Sequence, residues 1–438
     1  MKHIKFIDLF AGIGGFHHAL TSITDVEGEC VLTCEMDKKC RAVYEANFGK
    51  QKNFSDNIRK LTQNKDGGQL SEEEVKENVP AHNVLCAGFP CQPFSKSGKQ
   101  LGAKDKTRGT LFHDIIRIIE ARKPDYLVLE NVKNLMGPKH EKTLEVILAA
   151  ITEIGYEVHA RPITLSPHQI EKNQGGAPQV RERVFILAIK SSPKAQKKLE
   201  LISEEVKALQ IAAKKTQDCW KISDYLIPDS AIKGGAKRYR LNQQELAWLE
   251  AWDDFVKVIP DESLPGFPIW CEVFKKTRPE TEGLPKWKVN FLEKNHAFFR
   301  KHEKLINAWM ERHSVKSFPP SRQKFEWQAK KCHMTRKGRT IKDLVIQMRP
   351  SGIRVKPATY LPALVAITQT SIIGPLVAPE KVKEYRTLTP QEAAKLQGMP
   401  TDIFSKEGGV VADSVAFKQL GNAVNVGVVR YLTSKLIG

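Results

Sequence analysis

Short apolar runs alternate with amphipathic segments along the first 190 residues of the chain. Nearly continuous apolar strands separated by helical patterns are typical of a parallel sheet that is covered on both faces. The pattern therefore predicts an α/β fold, an open and doubly wound domain with a mostly parallel sheet. The apolar runs that carry this prediction are IKFIDLF (4–10), CVLTCEM (30–36), NVLCAGF (83–89), YLVLENV (126–132) and RVFILAIK (183–190).

Sheets of this kind bind ligands beyond the carboxyl ends of their strands, near the point where the strand order reverses. The loops that follow Leu9, Glu35, Phe89 and Glu130 are therefore the places where we expect chemistry.

The alternation stops at about residue 191, and the chain becomes rich in Lys, Trp and Pro. All seven tryptophans lie in this middle region. We expect most of their rings to pack the core of a second domain rather than to stack on bases. A helical pattern returns after Tyr385, in LTPQEAAKLQGMP (388–400) and in the segment 424–438.

The positive charge is concentrated in the same middle region. The 438 residues carry a formal charge of +19, of which 1–190 contribute +3 (27 basic, 24 acidic), 191–380 contribute +13 (34 and 21) and 381–438 contribute +3 (8 and 5). Within it, 321–356 holds eleven Lys and Arg against Glu326 and Asp343. Two interpretations fit: a solvated basic surface, or a site for a polyanion.

Composition excludes several classes of protein. A hydrophobic fraction of 41% supports a sizeable core, which excludes a disordered chain. The first residues lack the features of a signal peptide, and no stretch approaches 18 uninterrupted apolar residues, so we expect a cytoplasmic, nucleoid-associated protein without a membrane partner. Eight cysteines without a CxxC pair indicate neither a disulfide scaffold nor a zinc ribbon, and we expect no metal.

The segment FIDLFAGIGGF (6–16) places a glycine-rich turn directly after the first predicted strand, where backbone N–H groups can approach a ligand closely. Glu35 ends the second strand, at a position where a carboxylate commonly binds ribose hydroxyls. Together they indicate an adenosine-containing cofactor. The alternative is a turn that only packs a helix on a strand.

Three further segments carry reactive side chains. Cys91 lies between prolines in AGFPCQPFS (87–95), which suits an oriented nucleophile, although a lone cysteine is usually a small buried hydrophobe. Glu130 ends an apolar strand in ENV, where partial desolvation would raise its pKa toward acid catalysis. In QVRER, Arg181 and Arg183 have the same parity on an extended segment, and one of them could fork toward a carbonyl or a phosphate.

The ordered set of these segments resembles the DNA (cytosine-5) methyltransferase family, of the bacterial restriction-modification type. The matching series is FAGIGGF, the Glu of CEMD, the Asp of SDNI, PCQ, ENV, QxRxR, a variable region, RTLTPQEAAKLQGMP and QLGNAVNVGVVRYL. It spans about 1–190 and 386–438. The ordered set is far more specific than any of its members.

The resemblance implies a mechanism. The Cys91 thiolate would add to carbon 6 of a cytosine that has been flipped out of the duplex. Glu130 would protonate or stabilise N3, and Arg183 would bind O2, with Arg181 beside it in the catalytic set. Carbon 5 would then take the methyl group of S-adenosyl-L-methionine.

The resemblance also implies the cofactor and DNA contacts. Asp56 would accept from the adenine amine, but SDNI has an Asn inserted before Ile, so Asn57 is an alternative. The other cofactor residues would be Phe10, Gly12, Gly14, Glu35, Met36 and Asn422. DNA would be bound by Gln92, Ser95, Ser97 and Lys99 of a closing loop at about 96–110, and by Arg349, Arg354 and Lys356.

The implied organisation is a catalytic domain made of 1–190 and 424–438, a target-recognition domain at 191–385, and a segment, 386–423, that returns to the catalytic domain. We expect a monomer that methylates a short specific sequence of double-stranded DNA and pairs functionally with a restriction endonuclease, without a stable complex. The rivals are a tRNA methyltransferase of the same family, a non-catalytic DNA-binding module, and a nicotinamide oxidoreductase, which the absence of GxGxxG disfavours.

Overall fold

The computed structural model describes residues 1–90, 110–215, 220–260, 264–329, 338–364 and 371–438. Its strands are, in chain order, Lys2–Leu9 (β1), Val26–Cys34 (β2), Phe54–Ser55 (β3), Val84–Gly88 (β4), Tyr126–Val132 (β5), Tyr156–Val158 (β6), Ile163–Leu165 (β7), Gln179–Val180 (β8), Arg183–Lys190 (β9), Ile269–Trp270 (β10), Lys324–Trp327 (β11), Leu344–Arg349 (β12), Gly352–Pro357 (β13), Leu361–Pro362 (β14), Ile372–Ile373 (β15) and Arg386–Thr387 (β16).

The α-helices follow the same numbering scheme along the chain. They are Gly15–Thr21 (α1), Lys38–Phe48 (α2), Arg59–Thr62 (α3), Glu72–Asn78 (α4), Leu111–Arg122 (α5), Glu141–Glu153 (α6), Ala195–Lys215 (α7), Gln243–Val258 (α8), Lys286–Lys301 (α9), Glu303–Arg312 (α10), Pro390–Leu396 (α11), Asp413–Asn422 (α12) and Val426–Ile437 (α13).

The chain forms two compact units. The first consists of Met1–Cys219, Ala363–Ile367 and Ala393–Gly438, and the second of Trp220–Pro362 and Thr368–Glu392. The first unit extends past the boundary at residue 190 that the sequence suggested, because α7 packs on β9, β6 and β7 and covers part of the sheet. It also takes in residues from 393 onward, where the sequence placed a separate returning segment up to 423.

The sheet of the first unit has the order β3-β2-β1-β4-β5-β9-β6, with β7 also paired to β9. The pairs from β3 to β5 are parallel, whereas β9 runs antiparallel to β5, β6 and β7. Helix α5 packs on one face through a cluster that includes Ile7 and Leu129, and α13 contacts β5 and α7. The predicted mostly parallel, doubly wound α/β fold is confirmed.

The strand order reverses between β1 and β4. The chain leaves β1 toward β2 and β3, and then returns to β4 and β5 on the other side. The carboxyl ends of β1 and β4 therefore border the crevice in which such sheets bind ligands.

The second unit has a six-stranded sheet in the order β10-β11-β13-β12-β15-β16, in which only the β11–β13 pair is parallel. Its core contains Trp252, which stacks on Phe325 with ring centroids 4.6 Å apart, together with Trp309 and Trp327. For these three tryptophans the expected packing role is confirmed. Trp287 is 60% exposed and belongs to the surface.

Candidate active site

The glycine-rich turn leaves β1 in an unusual backbone conformation. Phe10, Gly12 and Gly14 have φ values of 59°, 56° and 87°, in the left-handed region that costs a side chain such as Phe10 free energy. The turn is held because Ala11 N donates to Cys34 O at 3.0 Å and Gly14 N donates to Ala11 O at 2.9 Å. Apart from its chain neighbours, no described residue has an atom within 4 Å of the position that a Cβ on Gly12 would take, so a ligand can approach this backbone.

The segment that precedes α13 packs against this turn. A Cβ on Gly15 would lie 2.5 Å from Val424 Cγ2, so only glycine permits the approach. Asn422, the last residue of α12, is exposed two residues before Val424. The side chain of Asn425, which the sequence analysis missed, caps α13 at Val428 N and donates to Leu396 O at 3.0 Å. The QLGNAV segment is thereby held close to the glycine-rich turn.

Glu35 connects the turn to the end of β2. Its two carboxylate oxygens accept hydrogen bonds from Gly12 N at 2.8 Å and Asp37 N at 2.7 Å. Met36, the next residue, is 75% exposed, although it is a large apolar side chain. A fixed carboxylate beside an exposed apolar side chain suits the ribose and the base of an adenosine, so the residues fit the expected cofactor.

Asp56 and Asn57 both have partners within the protein. Asp56 Oδ1 lies 2.7 Å from Lys60 Nζ, and this hydrogen bond lowers the pKa of the Asp56 carboxyl. Asn57 Oδ1 accepts from Arg59 N at 3.0 Å. An adenine amine requires an acceptor, which the Asp56 carboxylate and the second lone pair of Asn57 Oδ1 can both offer. The choice between the two residues stays a prediction.

Glu130 and Arg183 form an ion pair at the carboxyl end of β5. Arg183 Nε lies 3.1 Å from Glu130 Oε1, and Glu130 is only 8% exposed. In the sheet register Glu130 lies opposite Gly88, the last residue of β4. Burial raises the pKa of the Glu130 carboxyl, although Arg183 and Arg181 oppose the shift. A carboxyl with a raised pKa can hold a proton for transfer near neutral pH.

Arg181 is used differently from its neighbour. It is 2% exposed, and its guanidinium donates to Leu364 O at 3.0 Å, Gly421 O at 2.9 Å and Ala423 O at 2.7 Å. Burial and the nearby Arg183 lower the pKa of Arg181 to about 9. Arg181 and Arg183 are two residues apart on an extended segment, and both lie near Glu130. The Nη donors of Arg181, however, are already bound to carbonyl groups. The geometry therefore favours Arg183, and not Arg181, as the group open to a substrate.

Asn131 links the ends of β4 and β5. Its Nδ2 donates to Phe89 O at 2.9 Å, and its Oδ1 accepts from Val132 N. The ENV motif predicted Glu130, but no local sequence signal indicated this role of Asn131.

The residues predicted next along the chain lie outside the described residues; they are Cys91, Gln92, Ser95, Ser97 and Lys99.

Arg349, Arg354 and Lys356 lie in the second unit, on β12 and β13. Within the described ranges, no group of three His, Cys, Asp or Glu side chains is arranged to hold a metal ion. Over the same ranges, every helix is too short or too polar to cross a membrane.

Solved structures of methyltransferases share this fold. The structure of Dnmt2 methyltransferase from S. pombe superimposes with a TM-score of 0.53 at 17% identity, covering 99% of this chain and 98% of that one. A DNMT2 mutant from Spodoptera frugiperda superimposes with a TM-score of 0.50 at 15% identity, covering 99% and 100%. The chain therefore has the Rossmann-like fold of these methyltransferases.

Sequence comparison narrows the class. The model of the C-5 cytosine-specific DNA methylase family matches residues 4–438. Type II methyltransferase M.AluI of Cellulosimicrobium cellulans is 36% identical over 507 aligned positions, which cover 98% of this chain and 91% of the relative. M.HhaI of Haemophilus parahaemolyticus is 40% identical over 188 positions, 43% of this chain and 50% of that protein. The chain belongs to the C-5 cytosine-specific DNA methylase family: it is a DNA (cytosine-5) methyltransferase, and S-adenosyl-L-methionine is its methyl donor.

Proposed function

We propose that this enzyme methylates a cytosine within a short specific sequence of duplex DNA, with Cys91 as nucleophile, Glu130 as acid and Arg183 as carbonyl clamp. The Glu130–Arg183 ion pair carries the proposal. It lies at the carboxyl end of β5, where Glu130 is opposite Gly88 in the sheet register, and Gly88 precedes Cys91 by three residues in the sequence. A nucleophile that follows β4 therefore starts next to an acid and a cation.

The Cys91 thiolate would form a bond to carbon 6 of the cytosine, and the displaced electron pair would develop at N3, where the Glu130 carboxyl supplies a proton. Arg183 would donate hydrogen bonds to O2 and hold the ring. Carbon 5, now enamine-like, would bond to the methyl carbon as the methyl–sulfur bond of the donor breaks and a neutral thioether leaves. A base would then take the carbon 5 proton, the double bond between carbons 5 and 6 would re-form as the Cys91 thiolate is expelled, and N3 would return its proton to Glu130, which restores the aromatic ring.

The target base must leave the duplex before these atoms can meet, at a cost of roughly a few kcal/mol. An electrophilic methyl group on a sulfonium is what S-adenosyl-L-methionine supplies when bound. Glu35 would accept from its ribose, Met36 would pack on its adenine, and Phe10, Gly12, Gly14 and Asn422 would surround the rest. The open space at Gly12 and the exposure of Met36 support these assignments, and Asp56 or Asn57 would contact the adenine amine.

The second unit would recognise the DNA sequence, and its basic surface supports this role. Arg349, Arg354 and Lys356 would contact DNA there, while Gln92, Ser95, Ser97 and Lys99 would contact it beside Cys91. The domain roles follow: the first unit would be catalytic, and the second unit, which lies mostly within 191–385, would be the recognition region.

We further propose that the enzyme is the modification partner of a restriction endonuclease, acts as a monomer and forms no stable complex with the nuclease. The similarity to one type II methyltransferase, M.AluI, over nearly the full length of the chain supports this pairing.

Labelled-methyl transfer tests the proposed function directly. We expect incorporation into duplex DNA and not into tRNA, and bisulfite sequencing of DNA from an expressing host should place every modified cytosine in one sequence context. Cys91→Ser should abolish transfer while S-adenosyl-L-methionine binding is kept. Transfer by Cys91→Ser at the wild-type rate would disprove the nucleophile, and preferred methylation of tRNA would disprove the substrate.

A further inference from the structure

A cluster of cations lies on one face of the sheet in the second unit. Arg354 and Lys356 alternate with Ile353 and Val355 along β13, and the two apolar residues belong to the hydrophobic core. Arg354 and Lys356 therefore lie on the opposite face, because successive side chains of a strand alternate. Arg349, at the end of β12, joins them on that face.

Glu326 on β11 binds both arginines of this cluster. Its Oε2 accepts from Arg354 Nε at 2.7 Å and from Arg349 Nη2 at 3.1 Å, and its Oε1 accepts from Gln328 Nε2. The side chains of Glu326, Arg349 and Arg354 are 21%, 28% and 25% exposed. A single partly buried carboxylate thus fixes the direction of two guanidinium groups.

The cluster has more positive than negative charge. Three cations face one carboxylate, and Lys356 has no ion-pair partner within 4 Å in the described part of the chain. Burial and the neighbouring arginines lower the pKa of Lys356, and burial lowers the pKa of Arg349. Arg349 Nε is buried and has no acceptor among the residues that the structure describes. Crowded cations with an unmet donor are costly without an anion, so the cluster is suited to bind one.

The donors left open have a geometry that can distinguish bases. Arg354 uses Nε for Glu326, and its two Nη nitrogens have no acceptor among the residues that the structure describes. Gln347 is the cross-strand partner of Arg354 in the β12–β13 register. A guanidinium edge and an amide side by side can form paired hydrogen bonds to guanine and to adenine respectively, whereas phosphates require only charge.

We propose that Glu326 is a positioning residue for DNA sequence discrimination, acting by aiming Arg354 and Arg349 at base edges beside Gln347. The inference rests on the proposed DNA recognition by the second unit. Glu326 would then act in opposite directions on overall DNA affinity and on discrimination between sequences, whereas a simple basic patch would change only the affinity. Glu326 lowers the general attraction for phosphates because it is negative, and it raises discrimination because it orders the arginine edges.

The experiment compares Glu326→Gln with Glu272→Gln in the full-length enzyme. Glu272 is a matched control, because it also lies in the second unit, pairs with Lys324 at 3.4 Å and contributes one negative charge. Each variant is titrated with a duplex that carries the sequence found by bisulfite sequencing and with the same duplex changed at one base pair outside the target cytosine. The ratio of the two dissociation constants measures discrimination.

We expect Glu326→Gln to reduce this ratio by about tenfold or more, the discrimination of one good base contact, while binding to the altered duplex stays equal or tightens. Glu272→Gln should leave the ratio unchanged. The kcat of Glu326→Gln at saturating DNA should match the wild type, and its KM for DNA should rise. Arg354→Lys keeps the positive charge but loses the paired N–H donors of the guanidinium, so it should reproduce the loss of discrimination. This variant serves as the test if Glu326→Gln does not fold.

Equal ratios in the Glu326→Gln and Glu272→Gln enzymes would overturn the inference while leaving the proposed function intact, and so would an Arg354→Lys enzyme with wild-type discrimination. A wild-type enzyme that fails to discriminate the two duplexes at all would instead contradict sequence-specific recognition itself.

Discussion

Arg183 reaches Glu130 from the strand that runs antiparallel to it, so that Arg183 Nε and Glu130 Oε1 lie 3.1 Å apart at a largely buried end of the sheet. Each of the two side chains keeps the other in one orientation. Removal of either side chain would leave the charge of the other one buried. Variants that keep the shape of the side chain are therefore needed to separate catalytic from structural effects.

Glu130→Gln keeps the shape of the side chain but removes the carboxyl proton. We expect kcat for methyl transfer at saturating DNA and cofactor to fall by roughly 10²–10⁴, the usual contribution of a positioned acid. Binding of S-adenosyl-L-methionine, measured by calorimetry, should be unchanged. The control is Glu182→Gln, which removes the exposed carboxylate paired with Lys133 one residue from Arg183. A Glu130→Gln enzyme with a rate close to that of this control would rule out the acid role.

Glu35→Gln keeps one acceptor for Gly12 N but removes the charge. Because a hydrogen bond to a charged group is worth about 1.5–3 kcal/mol, the dissociation constant of S-adenosyl-L-methionine should rise by roughly tenfold to a hundredfold. Calorimetry on the DNA-free enzyme measures this, and kcat at saturating cofactor should change much less. Glu29→Gln, on an exposed part of β2, should bind the cofactor as the wild type does. Equal affinities for all three proteins would remove Glu35 from the cofactor site.

Gly427→Ala should destabilise the first unit. A Cβ at Gly427 would overlap the carbonyl oxygen of Gly175, which is backbone and cannot move away cheaply. Overpacking of this kind costs about 1–3 kcal/mol and sometimes more. Gly88→Ala is the control, since its nearest contacts would be ordinary ones at 3.7 Å. All seven tryptophans lie outside the first unit, so tryptophan fluorescence does not report on its unfolding. Hydrogen exchange of peptides from α5 and β5 is therefore the suitable measurement.

If those peptides are protected equally in the Gly427→Ala and Gly88→Ala proteins, the close approach of Gly175 and Gly427 is not a requirement of the fold. Activity alone would not answer the question, because Gly88 lies opposite Glu130.

His82 makes the stability of the first unit depend on pH. Its Nδ1 lies 2.8 Å from Pro80 O, and burial lowers its pKa from 6.5 to about 4. Between these values the unfolded chain binds more protons than the folded one, so stability is complete above pH 6.5 and falls as the pH falls toward 4. The loss attributable to His82 is roughly 3 kcal/mol at 1.36 kcal/mol per pKa unit.

Urea unfolding followed by circular dichroism across this interval measures the effect. His82→Asn, which can still donate to Pro80 O, should reduce the slope without abolishing it, because burial also lowers the pKa values of His17 and His18 to about 4. His3→Asn, at an exposed ring beside Glu27 and Glu29, should leave the slope unchanged. An unchanged slope in the His82→Asn protein would show that other groups control the acid sensitivity.

The sequence predicted the parts of the site that depend on local pattern. Glu35 and Glu130 end apolar runs, and the strand that precedes each of them is long enough to be identified by itself. The carboxyl ends of parallel strands share one edge, so their positions at the site followed from the strand order.

Arg181 shows what the sequence could not predict. Its three carbonyl partners, at Leu364, Gly421 and Ala423, are 183 to 242 residues away along the chain. The alternation of side chains along a strand predicts the face on which a side chain lies. It does not predict which distant backbone groups that side chain will contact. The extent of the first unit was missed for a similar reason, because α7 is rich in Lys and Glu and only its packing on β9 shows where it belongs.

Because residues distant in sequence complete the first unit, this unit can finish folding only after the whole chain has been translated. A ribosome that has released residues 1–219 has not yet made 393–438, which include Val424 beside Gly15 and Gly427 beside Gly175. The cofactor turn must therefore wait, without its last packing partner, while the whole second unit is translated. A nascent or prematurely terminated chain cannot complete the first unit, so methylation begins only after the second unit has been synthesised.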